Sequence, residues 1–184
     1  DEENDVTLKK IDHILDCYGL NTSRLIHQYF MDRYEMQLQV DKTPFNPYGV
    51  LTIVCFFKGN TLNLEILNAR NLVPIGPNKK CDSFVKISFE PRMHFLNINS
   101  IKTRVHPNTH FPLYEESFVL DLNEDQKNIT DAIVCFTIKD KYRIGSNECI
   151  AEAFLSFRDI FEAPSKEKSQ QKHLTLTRLQ SDGE

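Results

Sequence analysis

The chain has 184 residues, of which 40% are hydrophobic and 26% are charged, a composition typical of folded globular proteins. Its formal net charge of −4 and its pI near 5.9 argue against a general nucleic-acid-binding protein, which needs a basic surface to neutralise phosphates. No apolar run approaches the roughly 18 residues that a membrane span requires, and the first residues, "DEENDVTLKK", are not a signal peptide. Because the sequence does not begin with Met, we expect it to be part of a longer protein.

Residues 1–40 have the periodicity of α-helices. Apolar side chains recur at steps of three and four residues at Leu8, Ile11, Ile14, Leu15 and Tyr18. Gly19 then favours a helix end, and the polar residues 21–23 favour the start of a second helix. We therefore expect a short α-helical hairpin, which must pack on the next domain or on chain outside this sequence because such helices are unstable alone. Residues 41–49, with two prolines and a glycine, are predicted to be a linker.

From residue 50 the hydrophobic period changes to two. Eight short strands without long helices between them predict a mainly β protein, an antiparallel β-sandwich over residues 50–179, with residues 180–184 as a tail. The predicted strands are Val50–Lys58, Leu62–Leu72, Ser83–Glu90, Ile101–His106, Glu116–Leu122, Ala132–Lys139, Cys149–Phe157 and His173–Leu179. One helical turn is expected within Asn123–Asp131.

The sequence does not predict an enzyme or a zinc site. Its five cysteines are scattered, odd in number and never in a C-x-x-C pair, which indicates free thiols in a reducing compartment. His106 and His110 lie on either side of a turn, but no third ligand accompanies them. No G-x-S-x-G motif or P-loop is present.

Several ordered motifs are similar to those of a known family. They are "L-x-x-x-I-L-x-A-R-N-L" from Leu62, "DSFVK" from Asp82, "K-T-R" from Lys102, "P-L-Y-E-E-S-F" from Pro112 and "I-K-D" from Ile138. Together they resemble a C2 domain, the lipid-binding sandwich of protein kinase C and synaptotagmin. The segments "SFEPRMHF" and "YGLNTSRLIHQYFMDRY" narrow the resemblance to the Unc-thirteen (Munc-thirteen) family of vesicle-priming proteins, in which the end of a helical MUN region precedes the carboxy-terminal C2 domain.

The resemblance implies a degenerate calcium cup. In C2 domains three loops at one end of the sandwich hold Ca²⁺, which takes roughly six to eight oxygen ligands. The five ligand positions of the family correspond here to Gly76, Asp82, Asp140, Tyr142 and Glu148. Because the glycine and the tyrosine supply no carboxylate, the remaining Asp82, Asp140 and Glu148 are expected to bind Ca²⁺ weakly or not at all, and no cofactor is expected.

Cations stand around this cup and on the neighbouring strands. The predicted lipid-binding loop residues are Lys79, Lys80, Lys141 and Arg143, with Ile75 and Ile144 as apolar tips. A second predicted lipid site is a basic strand face made of Lys86, Arg92, Lys102 and Arg104, in which residues 102 and 104 are expected to face the same side of the sheet. The simpler interpretation is a solvated surface, with Asp140 and Glu148 paired to nearby cations.

The resemblance implies a peripheral, Ca²⁺-independent, phospholipid-binding module of a vesicle tethering or priming protein in exocytosis. Its expected partner is an anionic phospholipid membrane, with SNARE-type fusion machinery or a small GTPase engaged through the larger protein, and no nucleic acid. Its expected location is cytoplasmic, at the plasma membrane, secretory vesicles or late endosomes. The alternative is a protein–protein interaction module that binds fusion machinery or a small GTPase without lipid.

Overall fold

The structure, a computed structural model, describes residues 20–40, 46–75, 81–141, 147–161 and 171–178. Its strands are β1 (Val50–Lys58), β2 (Thr61–Arg70), β3 (Ser83–Glu90), β4 (Ile101–Lys102), β5 (Leu113–Asp121), β6 (Ile133–Asp140), β7 (Glu148–Ser156) and β8 (Gln171–Thr175). Its helices are α1 (Leu20–Val40), α2 (Glu124–Lys127) and α3 (Phe157–Phe161), with a 3₁₀ turn at Arg92–His94. The strands form two four-stranded antiparallel sheets, ordered β5-β2-β1-β8 and β4-β3-β6-β7.

The predicted mainly β antiparallel sandwich is confirmed, and a helix precedes it as expected. The first predicted helix, before Gly19, and the start of the predicted linker lie outside the described residues. The predicted helical turn is α2, where Asn123 and Gln126 form a capping box: each side chain bonds the other residue's backbone N–H.

The fourth strand is shorter than predicted, and a side chain explains why. The backbone N–H of Val85 donates to Oγ1 of Thr103 at 3.0 Å, instead of to a backbone carbonyl of the neighbouring segment. The N–H of Thr103 still donates to the carbonyl of Val85 at 2.9 Å, but the regular strand ends at Lys102, and a single bridge between Ser83 and His106 replaces the rest of the predicted strand. The fifth strand begins three residues earlier than predicted, at Leu113 rather than at residue 116.

The core lies between the sheets and is made of alternate strand residues. Representative members with no exposed surface are Leu51, Ile53, Leu62, Ile66, Val85, Ile87, Val134, Phe136 and Ile138. Where β3 ends, the rings of Phe89, Phe95 and Phe157 pack against one another at centroid distances of 5.4, 5.8 and 6.4 Å. Edge and tilted ring contacts of this kind add to the stabilisation from burial, so this end of the sandwich is closed by aromatic packing.

Helix α1 packs on the outer face of the second sheet, on β7 and the start of β6. Tyr34, Phe30 and Met31 cover Ile133, Cys135 and Phe154, and burial of this apolar area is the main force that holds the helix. Tyr34 also donates a hydrogen bond to Oδ2 of Asp159, in α3. The expectation that the helix must pack on the sandwich is therefore met for α1.

The open edge of β7 is covered by side chains and by the chain after β8. Gln37 donates from Nε2 to the carbonyl of Phe154 at 2.8 Å and accepts from its N–H at 2.7 Å, so one amide side chain replaces a neighbouring strand. Thr177 exchanges two backbone bonds with Glu152, at 2.7 and 2.8 Å. Because these edge groups are paired, β7 does not offer a free edge there for another strand.

Replacing Gln37 by Ala is expected to lower the free energy of unfolding by about 2 kcal/mol, since the N–H and C=O of Phe154 lose a buried partner. Urea denaturation followed by circular dichroism measures the change. Glu35→Ala, on the exposed side of the same helix, is the control and should alter stability by less than about 0.5 kcal/mol. Equal effects of the two changes would show that the amide contact contributes nothing.

Candidate functional site: the cup loops and the basic strand face

The three predicted cup carboxylates lie side by side at one end of the second sheet. Asp82 immediately precedes β3, Asp140 ends β6 and Glu148 begins β7. In the strand register Asp140 is opposite both Ser83 and Glu148, so these two antiparallel pairings bring the three acidic residues to the same end of the sandwich.

Asp82 and Asp140 bind the backbone rather than standing open to solvent. Oδ1 of Asp140 accepts the N–H of Asp82 at 2.8 Å, and Oδ1 of Asp82 accepts the N–H of Asn108 at 2.8 Å. The carbonyl of Asp82 also accepts the N–H of Lys141 at 2.9 Å. These bonds join the segments around residues 82, 108 and 141, which is a structural role for both aspartates.

The described residues at the cup end include two carboxylates that hold the backbone. Over these residues no group of three or more His, Cys, Asp or Glu side chains is arranged to hold a metal ion. Calcium needs roughly six to eight oxygens, and two of the oxygens available here already accept backbone N–H groups. Gly76 and Tyr142, the two positions that lost a carboxylate, lie outside the described residues.

The predicted loop residues lie partly outside the described residues. Lys79, Lys80, Arg143 and Ile144 lie outside the described residues, whereas Lys141 is exposed and Ile75 is half-buried. The structure adds two residues that the sequence interpretation missed, Phe111 and Leu113, with 59% and 62% of their surface exposed. They follow the turn at residues 106–110. The N–H of Leu72, next to the first cup loop, donates to the carbonyl of His110 at 3.2 Å, and this bond joins the turn to the loop. An apolar pair beside a polar turn was the signal available in the sequence.

The predicted basic strand face is formed in part. Lys86 and Lys102 are directly opposite each other in the register of β3 and β4. Lys139, on β6, joins them because it pairs with Phe84, which lies on the same face of β3 as Lys86. Burial lowers the pKa of Lys86, and the positive charges of Lys139, Arg92 and Lys102 lower it further. A half-buried ammonium surrounded by like charge is stabilised by an anion.

Arg104 does not belong to this face as predicted. β4 ends at Lys102, so residues 102 and 104 are not two steps along one strand. Arg104 instead lies beside Glu116 of the first sheet. Its Nε is 3.5 Å from Oε1 of Glu116, and its backbone N–H donates to the same oxygen at 2.7 Å. The early end of β4, caused by the Thr103 side chain, is the physical reason for the correction.

A small pocket opens beside the basic face, where β3 runs beyond the end of β4. It has a volume of about 80 Å³ and is lined by Lys86, Ile87, Ser88, Phe89, Glu90, Arg92, Ile98, Asn99 and Ser100. Nη1 of Arg92 holds one wall in place by donating to the carbonyls of Phe95 and Ile98, at 2.7 and 3.0 Å. Ser, Asn, Lys and Arg side chains are hydrogen-bond donors, so the lining suits an anionic group.

Glu90 is the acidic residue of this pocket. Burial raises the pKa of its carboxyl to about 7, although the N–H of Arg92, 2.8 Å from Oε2, and the charge of Arg92 both oppose the rise. The carboxyl therefore changes charge near neutral pH, inside a pocket that cations otherwise dominate.

Burial raises the pKa of each of the four described cysteine thiols, including that of Cys149, which is exposed. Cys55, Cys81 and Cys135 are buried free thiols, and burial is the main cause that raises the pKa of Cys81 to about 12. A thiol with this pKa stays protonated at neutral pH and is a poor nucleophile.

Of the helices in the described ranges, none has the length and apolarity needed to cross a membrane.

Comparison with known proteins gives a consistent result. The sequence model of the C2 domain family matches residues 60–175. Protein unc-13 homolog 4B of Drosophila melanogaster is 41% identical over 162 residues, covering 88% of this chain and 14% of that protein. Unc-13 homolog D of Homo sapiens is 26% identical over 156 residues (84% and 14%), and BAI1-associated protein 3 of Mus musculus is 27% identical over 158 residues (85% and 13%). The chain thus spans about one seventh of the length of these relatives.

Solved structures support the same fold. A C2 domain of RIM from Drosophila superposes with a TM-score of 0.54 at 17% identity, covering 69% of this chain and 98% of that one. The third C2 domain of the KIAA1228 protein superposes with a TM-score of 0.58 at 15% identity, covering 77% and 95%. At such low identity these likenesses concern the architecture alone.

Proposed function

The chain belongs to the C2 domain family, and on this basis we propose that it is the membrane-contacting C2 module of an unc-13-like protein that tethers or primes secretory vesicles. C2 domains of this type generally bind phospholipid membranes or proteins. The ligand we propose here is an anionic phospholipid surface on the cytoplasmic side of the plasma membrane, secretory vesicles or late endosomes. SNARE-type fusion machinery or a small GTPase would be engaged through the larger protein.

The observation that carries this proposal is the cluster around Lys86. Lys102 and Lys139 of the second sheet and Arg92 of the adjoining 3₁₀ turn lie close enough to Lys86 for their charges to lower its pKa. A membrane with anionic lipids attracts each such cation by about 1 kcal/mol near its surface. The cluster thus supplies modest, reversible binding, which other domains of the larger protein would increase by avidity.

We propose that this binding needs no calcium. Asp82 and Asp140 already hold the backbone of the cup end, and the family positions at Gly76 and Tyr142 carry no carboxylate. Calorimetric titration tests this point: we expect no saturable Ca²⁺ binding at low micromolar concentrations. Saturable binding that Asp140→Asn abolishes would overturn it.

Vesicle co-sedimentation in chelator is the main test of lipid binding. We expect Lys86→Ala with Lys102→Ala to weaken binding to vesicles of 20% phosphatidylserine and 5% phosphatidylinositol bisphosphate about 30-fold at low salt, from about 1 kcal/mol per lysine. Lys58→Ala, an exposed lysine on β1 of the other sheet, is the matched control and should have little effect. Added salt should weaken the wild-type interaction, because exposed charges are screened.

The loop residues form the competing lipid site and are tested separately. Changing Lys79, Lys80, Lys141 and Arg143 together to Ala should reduce binding if the cup loops also contact the bilayer. If neither set of changes reduces binding, the lipid proposal fails and the protein-interaction alternative replaces it. The exposed side chains of Phe111 and Leu113 are the observation that favours this alternative, because exposed apolar patches often mark protein contacts.

A further inference from the structure

Strand β5 forms one edge of the first sheet, and its outer side is not paired with any strand that the structure describes. The edge of β7 differs, because Gln37 and Thr177 pair with its backbone. An edge strand of nine residues offers N–H and C=O groups to an incoming extended chain. These groups define one kind of ligand, a peptide segment in the β conformation.

The alternation of hydrogen bonds identifies which residues of β5 face the open edge. The N–H of Leu122 donates to the carbonyl of Asn60 at 3.0 Å, so residues 60 and 122 form a hydrogen-bonded pair of the ladder between β2 and β5. In an antiparallel ladder such pairs alternate with pairs whose backbone groups point away. Residues 118 and 120 therefore bond to β2. Ser117, Val119 and Asp121 direct their N–H and C=O groups to the open edge.

The side chains of the same three residues point to the outer face of the sheet. Ser117, Val119 and Asp121 are exposed, whereas the residues between them are half-buried. Val119 has 67% of its surface exposed and is in register with Asn63 of β2, which is in register with Phe56 of β1. Phe56 is itself 42% exposed. Two exposed apolar side chains, Val119 and Phe56, thus lie in one row of this face.

Acidic groups lie on both sides of Val119. Glu65 of β2 is in register with Ser117, and Asp121 is two residues beyond Val119 on β5. Both carboxylates belong to the outer face, because side chains two residues apart on a strand share a face and in-register neighbours do so as well. An incoming strand beside β5 would therefore meet an apolar group between two negative charges.

The cations on this side of the protein do not cancel that negative charge. Arg104 lies against Glu116, with Nε 3.5 Å from Oε1. Lys58 is on the outer face but belongs to β1, two strands away from the open edge. A surface with acidic groups at the edge repels an anionic bilayer, so lipid binding does not account for the exposed Val119. A protein segment with basic residues is complementary to it.

We propose that the open edge of β5 binds an extended segment of a partner protein, in which an apolar residue has a lysine or arginine two positions before it and two positions after it. The segment adds to the four-stranded sheet as a further antiparallel strand. Its apolar residue lies opposite Val119, and its cations lie opposite Ser117, beside Glu65, and opposite Asp121. Backbone hydrogen bonds supply affinity, and the alternate side chains supply specificity. The inference does not depend on the lipid proposal, because the two surfaces belong to different sheets.

A blocked synthetic peptide of seven residues is the probe. It has valine at its centre, lysine two residues before and two residues after the valine, and threonine elsewhere. Amide chemical shifts of the folded chain, followed during peptide titration, give the dissociation constant. We expect saturable binding. In the saturated state, hydrogen exchange at the N–H groups of Ser117, Val119 and Asp121 should slow at least about tenfold, because these groups become paired.

Two methylated peptides separate strand addition from simple charge attraction. In the antiparallel arrangement the N–H of the central valine points to β5, whereas the N–H of the threonine beside it points away. Methylation of the valine nitrogen should weaken binding about tenfold, because it removes a hydrogen bond and places a methyl group against the edge. Methylation of the threonine nitrogen should change little. Equal binding of the two methylated peptides would show that strand addition does not occur.

Val119→Lys should weaken binding of the unmethylated peptide about tenfold, because an apolar cross-strand pair is lost and a charge of the same sign as those of the peptide is added. Gln171→Lys, which places the same exposed lysine on β8 at the opposite edge of this sheet, is the matched control. Both variants should unfold at the temperature of the wild type, since neither position is buried. If the two variants bind the peptide equally well, β5 is not the site.

The remaining outcomes also refute the proposal. If the wild type does not bind the peptide, the edge has no affinity for this kind of segment. Exchange protection of the β5 edge that appears without peptide and rises with protein concentration would assign the edge to a second copy of the chain. Vesicle binding by the variants of Lys86 and Lys102 tests the lipid proposal separately, so failure of one proposal leaves the other standing.

Discussion

Replacing Glu152 by Ala is expected to destabilise the fold by about 3–5 kcal/mol, the largest effect among the changes considered. Oε2 of Glu152 lies 2.8 Å from Nη2 of Arg33, whose side chain is only 3% exposed. Nη1 of Arg33 donates to the hydroxyl of Tyr29 at 3.1 Å, and Nε is buried without a hydrogen-bond partner within the described residues, so the Glu152 carboxylate is the main compensation for the buried charge. The rings of Phe154 and Tyr29, 5.3 and 5.8 Å from the guanidinium carbon, give smaller support.

The double variant Arg33→Met with Glu152→Leu is the matched control. Removing both charges leaves no uncompensated ion, so most of the lost stability should return. Urea denaturation of the wild type, Arg33→Met, Glu152→Leu and the double variant closes a double-mutant cycle and gives the interaction energy of the pair. If Glu152→Ala costs less than about 1 kcal/mol, the pair does not hold the helix to the sandwich.

Glu90→Gln is expected to make the protein more stable at pH 8 by about 3 kcal/mol, with little change at pH 4.5. The pKa of Glu90 in the folded state is about 7, above the unfolded value of 4.5, so the folded state retains a proton that the unfolded chain releases. The resulting stability is full below pH 4.5 and is lost as pH rises through 7. About 1.4 kcal/mol per pKa unit gives the size of the effect.

Chemical denaturation at pH 4.5, 6, 7 and 8 measures the difference between the two proteins. Gln keeps an oxygen that can accept the N–H of Arg92, so this hydrogen bond is preserved. Glu65→Gln, on an outward-facing position of β2, is the control and should show no such trend. A constant difference between wild type and Glu90→Gln across these pH values would mean that Glu90 does not titrate near neutrality in the folded state.

The sequence was sufficient to predict the two sheets because burial on one face of each strand produces a period of two. The alternation in β2, where Leu62, Leu64 and Ile66 are buried between partly exposed residues, is an example. The acidic cup positions Asp82, Asp140 and Glu148 were identified through the resemblance to C2 domains, and antiparallel pairing brings them to the same end of the second sheet.

Contacts that depend on the side chains of distant residues could not be predicted. The length of β4 is set by one hydroxyl, Oγ1 of Thr103, which takes the place of a backbone carbonyl. The partner of Arg33, Glu152, is on another element, and no local pattern links the two residues. The same holds for Glu90, because the burial that raises its pKa exists only in the folded structure.

The way α1 is held has a consequence for the longer protein. The helix is fixed to the sandwich at three separate points, by Gln37, Tyr34 and Arg33, so it cannot swivel about a flexible joint. Its axis therefore keeps a set direction relative to the sheet that bears Lys86 and Lys102. In the membrane contact proposed above, α1 would therefore lie at a defined tilt to the bilayer. The tilt of α1 at the membrane would then be set by these three contacts with the sandwich.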